Sequence, residues 1–292
     1  MSERKNSSRR ASLVGIALLG AAAMTAASAF ATASAETTLE RAKKQGYIRV
    51  GFANEAPFAY ATPDGKLTGE APEIAKVILK RMGIPEVDGV LTEFGSLIPG
   101  VKARRFDIIA AGMFINPKRC KEIAFSEPSY GIGEAILVKK GNPSSIKDLS
   151  NFAANKNLKL AVMAGAVEGG YAKEAGVDQG QLVVLPDQSS MVAAIEAGRA
   201  DGAALTALSI ADMAKKGTGV ESTPPFAEVA GKSVMGHGGF GFRKEDKDLV
   251  AAFDKELKAF IGSPEHLALV TPIGFGKGYL PTKTTAQLCS DK

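Results

Sequence analysis

The chain has 292 residues, enough for two domains of ordinary size, and its 45% hydrophobic and 23% charged content is that of a soluble globular protein. Setting aside Arg4, Lys5, Arg9, Arg10 and the single acid Glu3 of residues 1–35 reduces 36 bases and 31 acids to 32 and 30, so the net charge falls from +5 to +2. No basic run exceeds pairs such as Lys139-Lys140, which argues against a nucleic-acid partner, and only two histidines, His237 and His266, exclude a multi-histidine metal site.

Residues 1–35 read as an export signal. Ser8-Arg9-Arg10 is followed by an apolar stretch over 13–29 and then by Ala33-Ser34-Ala35, a small-residue cleavage site. The alternative is a membrane anchor, but the Ala- and Gly-rich stretch and the cleavage site favour removal after Ala35. The paired arginines resemble a twin-arginine signal, although Ala11-Ser12 stands where an aromatic residue is usual. Export makes a disulfide chemically permissible. Cys120 and Cys289 are then either a bridge, which an even count in an oxidising compartment favours, or two buried thiols.

The exported part opens with a strand over 47–52, a turn at Pro63-Asp64-Gly65, and a helix whose first turn holds Pro72. Ile74, Val77, Ile78 and Met82 make its apolar stripe, and Gly83 ends it. A strand over 90–94, a short helix over 96–104 and a buried-type strand over 106–111 follow. The pattern restarts after Gly141-Asn142-Pro143. Strands fall at 158–163, 182–185 and 201–205, with helices at 168–174 and 191–197, the latter capped by Ser189 or Ser190. Alternating strands and helices imply an α/β fold with largely parallel sheets.

The two halves share a short pattern. Ala103-Arg104-Arg105-Phe106-Asp107 and Ala197-Gly198-Arg199-Ala200-Asp201 each join a helix to a strand. A last strand over 240–243 follows Gly236-His237-Gly238-Gly239, and a helix with Leu249, Phe253, Leu257 and Phe260 on one face comes after it. The expected architecture is two lobes: a discontinuous one over 36–134 and 240–292, and a second over 135–239. Two strand-like crossings would form the hinge.

Several segments are specific together. They are Val50-Gly51-Phe52 with Pro57-Phe58; Gly69-Glu70-Ala71-Pro72-Glu73-Ile74-Ala75; and Leu97-Ile98-Pro99-Gly100-Val101 after Phe94. Phe106-Asp107-Ile108-Ile109-Ala110-Ala111-Gly112-Met113, Asn116-Pro117-Lys118-Arg119 and Phe125-Ser126-Glu127-Pro128 complete the set. In this order they resemble the amino-acid-type periplasmic solute-binding proteins of ABC importers, over nearly the whole exported part. The likeness is greatest to those that bind ectoine and hydroxyectoine. It implies a two-lobe (type II) binding-protein fold, a small zwitterionic ligand and importer membrane subunits as partners. It also implies a monomer in the periplasm and no cofactor. By the same resemblance Phe58, Phe94 and Phe114 surround the ligand, and Glu55 and Arg119 are its charged contacts. Tyrosine is usual at the position of Phe94.

The chemistry of these residues is consistent with that role. Arg119 offers a planar fork of donors for a carboxylate, expected from a strand-to-loop segment after Met113. Backbone N–H groups of 164–167 can add to an anion site, with Val167 where the family often has a hydroxyl. Thr206 stands where binding proteins for ordinary amino acids carry an acid for the ammonium group. A delocalised cation is then better served by phenylalanine faces, with Glu55 accepting its ring N–H. Two other readings stay open. One is a different zwitterion, an amino acid or betaine. The other is an enzyme on the same fold, of dehydratase type. Glu55 is the only obvious acid–base candidate for that, and the sequence has no phosphate loop or nucleophile elbow.

Overall fold

Helix α1 (Thr38–Gln45) begins at a reciprocal cap, in which Thr37 accepts from the N–H of Glu40 and the Glu40 carboxylate accepts from that of Thr37. It leads into β1 (Tyr47–Phe52) of the computed structural model, which describes residues 35–290. The export signal therefore lies outside the described residues except for Ala35. A small hairpin, β2 (Tyr60–Ala61) and β3 (Leu67–Thr68), carries the expected turn. Helix α2 (Glu70–Arg81) buries Ile74 and Ile78, with Val77 and Met82 partly buried on its flank. Strand β4 (Glu86–Leu91) lies parallel to β1.

Phe94 is not in a strand. Extended pairing stops at Leu91, and Phe94–Ser96 form a 3-10 turn that runs into α3 (Leu97–Lys102). Strand β5 (Ile108–Phe114) follows. Helix α4 (Pro117–Glu122) starts from Asn116, whose side chain accepts from the N–H of Arg119. Two short strands, β6 (Ala124–Phe125) and β7 (Tyr130–Ile132), close this part.

After Gly133 the chain enters a second sheet. It runs through β8 (Glu134–Lys139), α5 (Leu149–Ala154), β9 (Leu160–Met163), α6 (Glu168–Glu174), β10 (Leu182–Leu185) and α7 (Gln188–Glu196). It continues with β11 (Gly202–Thr206), α8 (Ala207–Lys216), β12 (Val220–Ser222) and the hairpin β13 (Glu228–Val229) and β14 (Lys232–Ser233). The strand order is β10-β9-β11-β8-β12. The first three are parallel, and β8 is antiparallel to both neighbours. The cap of α7 is Asp187, which accepts from the N–H of Ser190, so the helix starts three residues earlier than a serine cap would place it.

Strand β15 (Gly236–Phe242) returns to the first sheet, whose order is β4-β1-β5-β15-β6 with β7 on the end of β15. It begins at Gly236, four residues earlier than expected, because its glycines lie under aromatic rings. A Cβ on Gly236 would fall 1.9 Å from the Phe114 ring, and one on Gly238 2.2 Å from that of Tyr130. Helices α9 (Lys247–Phe260), α10 (Pro264–Val270) and α11 (Thr285–Cys289) finish the chain, and the four apolar residues predicted for α9 are fully buried. A disulfide joins Cys120 of α4 to Cys289 of α11.

The shared pattern of the two halves is a shared device. Arg104 and Gly198 both take positive φ at a helix end, +58° and +70°. Three residues on, Asp107 and Asp201 each donate a backbone N–H to the neighbouring parallel strand, at Arg49 and Lys159. Each also accepts that residue's N–H on its carboxylate. In the first lobe Asp107 further binds Arg41 and the fully buried Arg243, at 2.8 and 3.0 Å. The result is a two-lobe α/β structure.

Candidate functional site

A narrow cavity of about 20 Å³ lies between the two sheets, far below the roughly 300–1,000 Å³ usual for open small-molecule sites. The ends of central strands reach it. Phe114 ends β5 and Thr206 ends β11, buried strands that each pair parallel to one neighbour and reach the cavity at their carboxyl ends. Glu55, Phe94, Phe114, Arg119, Val167 and Thr206 all line it.

Phe58 does not line the cavity. Its ring is 1% exposed and packs against Tyr130 and Phe275, with centroids 5.0 and 5.1 Å away. It lies against Gly112, which has φ +63° and where a Cβ would meet the ring at 2.6 Å. Phe58 therefore shapes the wall from behind, and Phe94 and Phe114 are the rings that reach the space.

Arg119 belongs to α4 rather than to a loop. Its Nη1 donates to the Phe114 carbonyl at 2.7 Å, and its Nη2 donates to the Gly165 carbonyl of the second lobe at 2.9 Å. The guanidinium stands 5.5 Å from the centroid of the Phe94 ring, so this ring face orients the arginine. Two of five N–H donors are used in these bonds.

Three further contacts join the lobes. Ser209 Oγ donates to Glu55 Oε1 at 2.9 Å. Gln188 Nε2 donates to the Ala56 carbonyl at 2.9 Å, and the Ala56 N–H donates back to Gln188 Oε1 at 3.2 Å. Gly95 and Gly165 meet backbone to backbone, so that a Cβ on Gly165 would lie 2.5 Å from Gly95 Cα. These contacts define a closed form.

Two buried carboxyls at or beside the cavity escape the sequence reading. Glu168, the first residue of α6, lines the cavity, with the backbone N–H groups of Val167 and Glu168 acting to lower its carboxyl. Glu134 lies directly opposite Thr206 in the antiparallel β8–β11 pair, where side chains share a face. It is 1% exposed, and neither carboxyl oxygen has a hydrogen-bond partner. A visible hint existed: a glutamate opens the otherwise apolar run Ala135-Ile136-Leu137-Val138.

Burial dominates the electrostatics. It raises Glu55 to about 8, helped by the Glu168 charge and opposed by the Ser209 hydrogen bond and Arg119. It raises Glu168 to about 7, against the two N–H groups and Arg119. Glu134 is pushed well up by burial and then by Glu168 and Glu55. Burial also lowers Arg119, while Glu168 above all works to keep it charged. One arginine and three carboxyls that share protons can hold a small molecule with a carboxylate and a cationic group. Neither histidine lines this cavity: His237 meets Thr282 Oγ1 at 3.0 Å, and His266 Nδ1 accepts from the Gly262 N–H. No group of three or more metal-ligating side chains occurs among the described residues.

Known proteins match this architecture. Residues 48–271 fit the bacterial extracellular solute-binding proteins, family 3. A probable amino-acid ABC transporter periplasmic-binding protein of Sinorhizobium fredii, y4tE, is 39% identical over 265 residues, 87% of this chain and 86% of the relative. The lysine/arginine/ornithine-binding periplasmic protein of Escherichia coli is 29% identical over 214 residues, 72% of this chain and 80% of the relative. Among solved structures, EhuB in complex with hydroxyectoine superposes with a TM-score of 0.81 at 37% identity, covering 88% of this chain and 99% of that one. The ancestral amino acid-binding protein AncCDT-1, a precursor of cyclohexadienyl dehydratase, gives a TM-score of 0.71 at 28% identity, covering 81% and 99%.

Proposed function

The chain belongs to the bacterial extracellular solute-binding proteins of family 3, periplasmic components of ABC importers for amino-acid-type solutes, and from that premise we propose that its ligand is ectoine or hydroxyectoine. The observation that carries the reading is one cavity holding Arg119, Glu55 and the rings of Phe94 and Phe114. Arg119 receives the carboxylate. Glu55 receives an N–H of the amidinium, and Phe114 offers that delocalised cation a ring face. Phe94 serves by fixing Arg119. Val167 and Thr206 bound the space from the second lobe, with Phe58 behind the first. The likeness to a hydroxyectoine-bound structure supports the same assignment.

The cycle follows from two lobes meeting at the cavity. Segment 1–35 exports the chain and is removed. Lobe 36–134 with 240–292 binds the ligand first, and lobe 135–239 then closes over it, bending at Gly133 and within 223–235, where the chain passes between sheets. The closed monomer is what importer membrane subunits recognise. Catalysis is disfavoured by the family assignment, and incubation with an ectoine should return it unchanged.

A second reading has its own support. Glu134 and Glu168 supply the negative charge that Thr206 lacks, which suits a cationic amino acid. Titration of Arg119→Ala with hydroxyectoine tests the first reading. Loss of about 2–5 kcal/mol of binding, with an unchanged far-ultraviolet spectrum, is the expected result. Full affinity in that variant would reject the site.

A further inference from the structure

Four buried polar atoms without partners gather at one wall of the cavity: Thr206 Oγ1, Glu168 Oε2 and both carboxyl oxygens of Glu134. Thr206 and Glu168 line the space, and Glu134 lies beside Thr206 on the adjacent strand. Buried polar atoms are normally satisfied, so a cluster of unsatisfied ones at a binding cavity marks where a ligand or its waters make contact.

Charge counting gives the cluster a role. Arg119 and a ligand of zero net charge need one ionised carboxylate for balance, and one of Glu55 and Glu168, both on the cavity wall, can supply it. A ligand of net charge +1 needs a second. We propose that Glu134 sets the ligand charge this site accepts: it keeps its proton while a net-neutral ligand is bound, and releases it to solvent when a ligand of net charge +1 enters. This deepens the preceding reading and rests on the cavity being the ligand site.

The titratable groups acting on Glu134 and Glu168 are Glu55, Arg119, Tyr130 and Tyr171. Glu168 and Glu55 raise Glu134, Glu134 and Glu168 raise Tyr171, and Glu134 acts with Glu70 and Glu55 on Tyr130. Arg119 is the cation that lowers Glu55, Glu168 and both tyrosines. Sharing one cation among three carboxyls leaves protons available for release on binding.

Calorimetry on the mature protein tests this with two probes, ectoine and L-ornithine, in buffers of different ionisation heat near pH 7. L-ornithine should release about one proton more than ectoine, and its affinity should rise from about pH 6 to about pH 7.5. Glu134→Gln is close to isosteric. It should abolish the extra proton and weaken L-ornithine about tenfold or more near pH 7.5. Equal proton release by the two wild-type complexes overturns the proposal, as does no L-ornithine binding at either pH. So does a Glu134→Gln variant that keeps both the extra proton and the affinity. Failure of ectoine alone to bind would instead remove the ectoine reading, with the L-ornithine titration still testing Glu134.

Discussion

Gln188 and Ala56 clasp each other across the cleft, the side-chain amide of one exchanging both of its hydrogen bonds with the backbone of the other. The pair touches no cavity wall, yet it forms only when the lobes meet. Gln188→Ala should therefore weaken the ligand without altering its contacts. Two hydrogen bonds at about 1 kcal/mol each predict a loss of roughly 10–30-fold, mostly as faster dissociation. Stopped-flow fluorescence on the variant measures this, and unchanged dissociation would show that closure does not depend on the clasp.

Gly165 should tolerate no side chain. Its φ of +79° already disfavours one, and a Cβ would strike the Gly95 backbone across the cleft. Gly165→Ala is expected to lose about 1–2 kcal/mol to backbone strain and more to obstructed closure. Affinity should fall by more than about tenfold while small-angle scattering reports a more open molecule.

Glu70, at the start of α2, is 1% exposed, and burial raises it to about 8. The unfolded carboxyl ionises near the model-peptide value, so the folded state gains most below that pH and loses the gain as pH rises towards 8. His237 and His266, lowered by burial, act in the opposite sense. The informative quantity is thus the difference between proteins. Relative to wild type, Glu70→Gln should gain melting temperature between about pH 5 and about pH 8.5, on the order of 5 °C. Parallel pH profiles for the two proteins would contradict this.

The bridge between Cys120 and Cys289 anchors α11 on the helix that carries Arg119. Closing so long a loop should stabilise the fold by roughly 2–5 kcal/mol. Reduction, or Cys289→Ser paired with Cys120→Ser, should lower the melting temperature by about 5–15 °C in calorimetry.

Much of this was legible because it depends on local pattern. The buried face of α9 follows from apolar spacing, and the matching Asp107 and Asp201 connections follow from a repeated helix-to-strand motif. Other features were encoded but overlooked. Asn116-Pro117 is a cap with proline at the first helical position, which places Arg119 in a helix. Asp187 competes with the two serines for the cap of α7, and its carboxylate makes the bond.

The rest was set by tertiary packing. Phe58 and Phe94 look alike in sequence, but Tyr130 and Phe275 bury the first while Gly95 lets the second turn inward beside Arg119. Glu134 is 72 positions from Thr206 in sequence and adjacent to it only once β8 pairs with β11. No local pattern carries that register.

The most direct test is calorimetric titration of the mature wild-type protein with ectoine, hydroxyectoine, glycine betaine, L-proline and L-arginine. Tight binding of ectoine or hydroxyectoine, lost in Arg119→Ala, is the predicted result. Tight binding of an ordinary amino acid with no binding of either ectoine would contradict it.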